Sequence, residues 1–212
     1  MNIWLITFFL VVWNLFVLHY LSRWFYCLFR DNSNVPAEYV GRKVVHILNG
    51  GVTTIFVALF YEGYYWIVVV AAFLLAVYIY LWRKHGMLYW FQVADNIYEV
   101  HFALAYAFVL FIGILLDDVW VGLIPMFFMS FGDAVTGLVR AFTRKRRVKS
   151  WDGTLAMFLV CGFIGFLKFG LYGVFMGVVA SLVEKIPKLD DNLTVPLVSG
   201  IMVYLYDFFN FL

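Results

Sequence analysis

The chain has 212 residues, of which 65% are hydrophobic and only 13% are charged. A soluble domain usually carries about 25% charged residues, so this composition excludes an ordinary water-soluble protein. The formal net charge of +2 gives no sign of a nucleic-acid partner, and none is expected.

Apolar runs recur along the chain at close to the roughly 20 residues that a helix needs to cross a bilayer. They are apolar all round, whereas membrane-spanning strands would alternate apolar and polar residues. We therefore predict an all-α, polytopic integral membrane protein of about eight transmembrane helices, with seven to nine compatible, forming a single domain over residues 1–212. In chain order the runs are 3–20, 44–60, 64–82, 101–116, 119–139, 153–167, 170–183 and 195–212.

The first run is interpreted as a retained helix, because it lacks a basic start and no small-residue cleavage site follows it. The two cysteines, Cys27 and Cys161, lie in or beside apolar segments without a metal-like spacing. Neither a disulfide nor a zinc site is expected.

The basic residues indicate how the chain is oriented. Four alternate connections hold 14 of the 15 lysines and arginines, and only Lys168 lies elsewhere. Short connections rich in Lys and Arg stay cytoplasmic, so both termini are predicted outside. The chain is expected in the cell membrane or an endomembrane, in contact with its lipids.

Most of the acidic residues fall on the same predicted side as the basic ones. Carboxylates bind Mg²⁺, and Lys and Arg neutralise phosphate oxygens, so this mixture suits a magnesium–nucleotide ligand. The alternative is that the basic residues only set topology and contact lipid headgroups. That alternative is strongest for the run 144–147.

The sequence GRKVVHILNGG at 41–51 opens the second apolar run. On a helix, Arg42, His46, Asn49 and Thr53 would form one polar stripe. Polar groups are costly inside a membrane and usually line a site, so Arg42, Lys43, His46 and Asn49 become candidate site residues.

The sequence SFGDAVTGLVR at 130–140 places Asp133 inside the fifth run. An intramembrane aspartate needs a partner such as a metal ion or an arginine. Gly132 and Gly137 would let a backbone or a phosphate approach closely. A purely structural Asp133–Arg140 pair is the alternative.

Two further segments carry polar residues on the same side. In KSWDGTLAMF at 149–158, Lys149 and Asp152 share a helical face, and Gly153 and Thr154 could admit a phosphate to free backbone amides. In VEKIPKLDDNLTVPL at 183–197, two prolines bracket a polar connection. Its candidate ligands are Asp190, Asp191 and Asn192.

These four segments, in this order over residues 41–200, resemble the motifs of the dolichol, phytol and polyprenol kinase family, which includes a fungal-type diacylglycerol kinase. The resemblance implies a multispanning kinase that transfers the γ-phosphate of CTP to the hydroxyl of a polyisoprenoid alcohol. Mg²⁺ is the implied metal cofactor. The preference for CTP over ATP comes from the resemblance alone.

The resemblance also implies roles for individual residues. Asp133 is the expected metal ligand, with Asp152 or the pair Asp190 and Asp191 supplying further carboxylates. Lys149 would neutralise phosphate charge, and His46 or an aspartate would take the hydroxyl proton. Family members often have Glu where this chain has Asp152. The expected nucleotide-binding residues are Arg42, Lys43, Asn49, Gly132, Gly137, Gly153, Thr154 and Asn192.

Three other functions stay open at this stage. A CTP-dependent cytidylyltransferase would make a CDP-activated lipid with similar carboxylates, but its usual HGG and DR ending is not found. A diacylglycerol kinase differs from a polyisoprenoid-alcohol kinase only in the lipid accepted. A transporter would explain intramembrane polar residues, although no repeat of interrupted helices is found.

Overall fold

The computed structural model describes residues 2–31, 34–146, 148–187 and 189–210, and the described residues contain helices and no strand. Seven of these helices are long and apolar enough to cross a membrane. The predicted all-α, multi-pass membrane fold is thereby confirmed. The helices are α1 (Ile3–Arg30), α2 (Ala37–Phe60), α3 (Tyr65–His85), α4 (Tyr98–Leu115), α5 (Trp120–Arg144), α6 (Trp151–Lys185) and α7 (Asp191–Asn210).

Helix α6 accounts for the difference between seven helices and eight predicted runs. It reverses direction at Gly170, whose φ of 56° and ψ of −135° are not helical. The two arms then pack against each other so closely that a Cβ on Gly165 would overlap the backbone of Gly173. The sixth and seventh predicted runs are therefore the two arms of one hairpin, and the chain crosses the bundle eight times.

Helix α5 lies at the centre of the bundle, where it contacts α2, α4, α6 and α7. It is the most buried of the seven candidate spans. Within it, Phe128–Gly132 adopts the wider π-helical geometry, as do Val17–Leu21 in α1 and His46–Gly51 in α2. Short π segments are rare and occur frequently at functional sites. Those of α2 and α5 pack against each other.

Charged residues gather at one end of the bundle, called the polar end below. Ion pairs join the beginnings of α2, α4, α6 and α7 and the ends of α3, α5 and α6 at this end. The end of α1 lies there too, where Phe29 packs against Phe142 of α5. At the opposite end, Lys168 lies 4.0 Å from the ring centroid of Trp120. The alternation of charge along the sequence is thus an alternation between two ends of the fold.

The predicted helix boundaries need correction at the polar end. Arg42 and Lys43 lie within α2 and Arg140 lies within α5, all three buried, rather than in connections between spans. Their side chains have partners inside the bundle. These partners stabilise the cations within the helices, although the cations lie outside the predicted apolar runs. Arg147, Lys188 and the last two residues of the eighth predicted run lie outside the described residues.

Candidate functional site

Three site candidates meet where the π segment of α2 begins and the π segment of α5 ends. The Nζ atom of Lys43 donates a hydrogen bond to Asp133 Oδ2 over 2.6 Å. His46 Nδ1 lies 3.5 Å from the same oxygen, too far for a well-formed hydrogen bond. All three side chains are at most 5% exposed, so this is a buried charged group with one loosely held member.

A second buried ion pair joins α5 to the end of α6. Arg140 donates from Nη1 and Nη2 to the two carboxylate oxygens of Glu184, over 2.7 and 2.9 Å. The pair is bidentate, which is the strongest geometry for a guanidinium and a carboxylate. The alternative of a structural Asp133–Arg140 pair is therefore not the observed arrangement, because each of these residues has another partner.

Lys149, which precedes α6, connects this pair to the start of α7. Its Nζ atom lies 3.3 Å from Glu184 Oε1 and 3.2 Å from Asp191 Oδ2, and it also donates to the Glu184 carbonyl. Partial burial lowers the pKa of the ammonium, but attraction to Asp191 and Glu184 outweighs burial and raises that pKa above its ordinary value. Lys149 is therefore held as a cation between two carboxylates.

Asp133, Glu184 and Asp191 form a carboxylate group at the centre of these contacts. One oxygen from each lies within 4.8 Å of the others. Mg²⁺ binds oxygens at about 2.0–2.1 Å in octahedral geometry, so neighbouring ligands stand about 3 Å apart and opposite ligands about 4.2 Å apart. The oxygen donors suit this ion, and the three carboxylates would draw closer together to share it. We call these three residues the carboxylate triad.

Four cationic side chains surround the carboxylate triad. Lys43, Arg140 and Lys149 contact its members directly. Arg42 is buried nearby with its guanidinium 5.1 Å from the ring centroid of Tyr98. Its Nε atom has no hydrogen-bond partner in the described part of the chain. The site thus combines metal-type oxygen ligands with cations suited to phosphate.

Two of the glycines predicted to contact phosphate instead leave room for two of these cationic side chains. A Cβ on Gly137 would overlap the side chain of Lys43, and a Cβ on Gly153 would overlap that of Arg140. Gly132 similarly lies against Cys161. In this structure, the glycines allow long basic side chains and neighbouring helices to approach the site.

Two of the predicted metal ligands lie away from the carboxylate triad. Asp152 accepts hydrogen bonds from Thr143 Oγ1 at 2.6 Å and Arg144 Nε at 3.2 Å. Asp190 contacts His101 Nδ1 and also caps the start of α7. Asp152 and Lys149 were expected to share one face, but Lys149 precedes the helix, so their side chains diverge.

The predicted polar stripe of α2 divides between two environments. His46 reaches Asp133, whereas Asn49 and Thr53 line an apolar cavity between α1, α3 and α4. The π geometry from His46 to Gly51 explains the division, because it changes the 3.6-residue spacing on which the stripe was based. The predicted contact of Asn49 with a nucleotide remains untested.

The remaining nucleotide-binding candidates, Thr154 and Asn192, make local hydrogen bonds at the polar end. Both the backbone N–H and the hydroxyl of Thr154 donate to the Ser150 carbonyl at 3.1 Å. The amide of Asn192 donates to Asp190 Oδ1 at 3.1 Å, and Asn192 Oδ1 has no partner among the described residues. Asn192 therefore retains a buried acceptor beside Asp191.

Glu184 was missed as a site residue by reasoning from sequence. It ends an apolar run and was counted only among acids on the charged side. Its burial of 99% shows that a partner is required, and the signal available in the sequence was an acid directly following fourteen mainly apolar residues.

No protein-family model matches the chain, and neither the curated proteins nor the solved structures contain a significant match. The resemblance of the four motifs to a lipid-alcohol kinase family is therefore supported by those motifs alone.

Proposed function

We propose that the protein is a membrane-embedded kinase that transfers a phosphoryl group from a nucleoside triphosphate to the hydroxyl of a lipid alcohol. The observation that carries this proposal is the carboxylate triad surrounded by Lys43, Arg140 and Lys149. Phosphoryl transfer requires mainly positioning and electrostatic stabilisation, by metal-holding carboxylates together with cations on the phosphates. The buried polar end contains both kinds of group, carboxylates and cations.

Mg²⁺ would be held by the carboxylate triad and would neutralise charge on the phosphate oxygens. Lys149 and Arg42 are placed to bind the remaining phosphate oxygens. In the transfer, the lipid oxygen bonds to the γ-phosphorus, the bond between that phosphorus and the β–γ bridging oxygen breaks, and a nucleoside diphosphate leaves. The hydroxyl proton passes to Nδ1 of His46, which has no hydrogen-bond partner in the described part of the chain.

The motif resemblance supports CTP as donor and a polyisoprenoid alcohol as acceptor. The location of the site at one end of the bundle supports a lipid acceptor, since the hydroxyl of a membrane alcohol lies near headgroup level. The excess of Lys and Arg at this end supports a cytoplasmic site with both termini outside.

The proposal is tested by phosphate transfer with purified protein in liposomes containing Mg²⁺. γ-labelled CTP and γ-labelled ATP are each offered with polyprenol, geranylgeraniol and diacylglycerol. We expect labelled lipid from CTP and an isoprenoid alcohol. If no acceptor is labelled by either donor while the protein is folded and inserted, the kinase proposal is wrong.

The same reactions distinguish the other candidates. Pyrophosphate released from CTP in the presence of phosphatidic acid would identify a cytidylyltransferase. Transfer to diacylglycerol alone would keep the kinase chemistry and change the acceptor. Uptake of a solute into the liposomes without phosphate transfer would favour a transporter.

A further inference from the structure

An apolar cavity of about 330 Å³ lies between α1, α2, α3 and α4, beside the polar site. Along α3 it extends from Ile67 to Tyr78, which corresponds to about 16 Å at 1.5 Å per residue. The cavity is therefore long and apolar enough to hold the hydrocarbon chain of a lipid.

The cavity opens sideways toward the lipid. Val11 and Leu15 of α1 and Leu74 of α3 line it and are also exposed on the apolar outer surface. A molecule dissolved in the bilayer can thus enter between α1 and α3 without crossing water.

Most polar groups in the lining are already paired. The hydroxyls of Thr7 and Tyr61 lie 2.9 Å apart, and Asn14 donates to Thr53 over 3.1 Å. Asn49 is different, because its side chain is buried and its Oδ1 atom has no hydrogen-bond partner in the described chain. An unpaired buried acceptor is costly, and a ligand hydroxyl would satisfy it.

Phe102 separates the cavity from the carboxylate triad. It lines the cavity, and the centroid of its ring lies 4.4 Å from that of His46. His46 in turn lies beside Asp133. Ser130, whose hydroxyl has no partner among the described residues, faces Gly50 at the same junction. Phe102 and Ser130 therefore lie where the cavity meets the proposed transfer site.

We infer that this cavity binds the hydrocarbon chain of a lipid alcohol, with Asn49 accepting a hydrogen bond from its hydroxyl before transfer. This inference rests on the proposed function for the fate of the hydroxyl. It assigns Asn49 to the alcohol rather than to the nucleotide.

The binding test uses a diazirine-bearing geranylgeraniol analogue and nucleotide-free protein in liposomes, with crosslinked peptides mapped by mass spectrometry. We expect crosslinks on the cavity faces of α1 and α3, competed by unlabelled geranylgeraniol. Ala72→Trp, which fills the cavity, should reduce crosslinking at least fivefold. Val70→Trp is the matched control, because Val70 is on the same helix but faces lipid and does not line the cavity.

Equal crosslinking of both tryptophan variants would overturn the inference. Competition by ordinary phospholipid would show that the cavity takes a bulk membrane chain and would also overturn it. Because no nucleotide is present, specific crosslinking without any kinase activity would refute the proposed function and leave the cavity assignment intact. Kinase activity undiminished by Ala72→Trp would refute the cavity assignment and leave the proposed function intact.

The role of Asn49 has its own kinetic readout. Asn49→Leu keeps the size of the side chain and removes the acceptor. We expect the KM for the alcohol to rise about tenfold while the KM for the nucleotide is unchanged. An increase in the nucleotide KM alone would return Asn49 to the nucleotide and contradict the inference.

Discussion

The two buried ion pairs of the polar end, Lys43–Asp133 and Arg140–Glu184, differ in how completely they are satisfied. Arg140 and Glu184 use two parallel hydrogen bonds, with both carboxylate oxygens engaged. Asp133 receives one hydrogen bond from Lys43, while His46 remains 3.5 Å away with its Nδ1 unpaired among the described residues. Both pairs are equally shielded from solvent.

This difference gives the two ion pairs different roles. Arg140–Glu184 supports the fold, and Lys43–Asp133 takes part in the proposed reaction. The bidentate pair orients Glu184 and fixes the ends of α5 and α6, and it leaves for a metal those carboxylate lone pairs that Arg140 does not use. The Lys43–Asp133–His46 group can rearrange, since a flexible lysine can exchange its carboxylate for a phosphate. We therefore expect Asp133 to be essential for turnover and Arg140 to be essential mainly for stability.

The largest predicted effect is that of Asp133→Asn on turnover. Replacing a metal-holding carboxylate with an amide removes several kcal/mol of charge stabilisation, so phosphate transfer should fall by at least about a thousandfold. Asp207→Asn, at the opposite end of the bundle, should retain activity. Labelled-lipid formation by both variants is the measurement, with membrane insertion checked in parallel. Wild-type-like transfer by Asp133→Asn would contradict its role.

The second prediction concerns the saturated pair. Arg140→Met leaves Glu184 buried without its bidentate partner, which should cost about 3–5 kcal/mol of unfolding free energy. Arg144→Met removes a pair with Asp152 whose side chains are 53% and 27% exposed and should cost less than about 1 kcal/mol. Unfolding in detergent mixtures measures both. Equal stabilities of the two variants would refute the assignment of Arg140 as a support.

A third prediction concerns Gly137, which packs against the side chain of Lys43. In Gly137→Ala, the new Cβ displaces the Lys43 side chain, so Lys43 can no longer reach Asp133. Misplacement of such a group should reduce kcat/KM by about 10- to 100-fold. Gly86→Ala is the control, because open space surrounds Gly86. An active Gly137→Ala variant would mean that the position of Lys43 is unimportant.

The smallest predicted effect is the pH dependence of Lys149. Its pKa is raised above 10.5 in the folded protein by Asp191 and Glu184. The stabilisation is therefore fully present below pH 10.5 and is lost only as pH rises through the raised pKa. The difference in Tm between wild type and Lys149→Met should stay constant from about pH 6 to 10 and shrink above that range. A decline near neutral pH would show that Lys149 is not held as a cation.

The fold followed closely from apolar run length and charge alternation. Eight runs were predicted and eight crossings are observed, because run length is a direct consequence of bilayer thickness. The two runs on either side of Gly170 follow each other directly in one hairpin, since a single glycine can turn the chain without a polar loop. Helix ends were less predictable, because Arg42 and Arg140 are buried with partners that are distant in sequence.

The candidate site was predictable only in part for the same reason. Asp133, Lys43, His46, Lys149 and Asp191 were identified from local motifs and do converge. The closeness of Glu184 to Asp133 depends on how α6 returns beside α5, which a local pattern does not contain. The π segment of α2 also changed which face Asn49 occupies, and no spacing rule for a regular helix could anticipate that.

The most direct test of the carboxylate triad compares two adjacent aspartates. Asp191 belongs to the triad, whereas Asp190 contacts His101. Electron paramagnetic resonance of bound Mn²⁺, titrated into purified protein with CTP, reports the metal–nucleotide site. We predict that Asp191→Asn weakens Mn²⁺ binding at least tenfold while Asp190→Asn leaves it unchanged. Unaltered binding by Asp191→Asn, or weakening by Asp190→Asn alone, would contradict the proposed site.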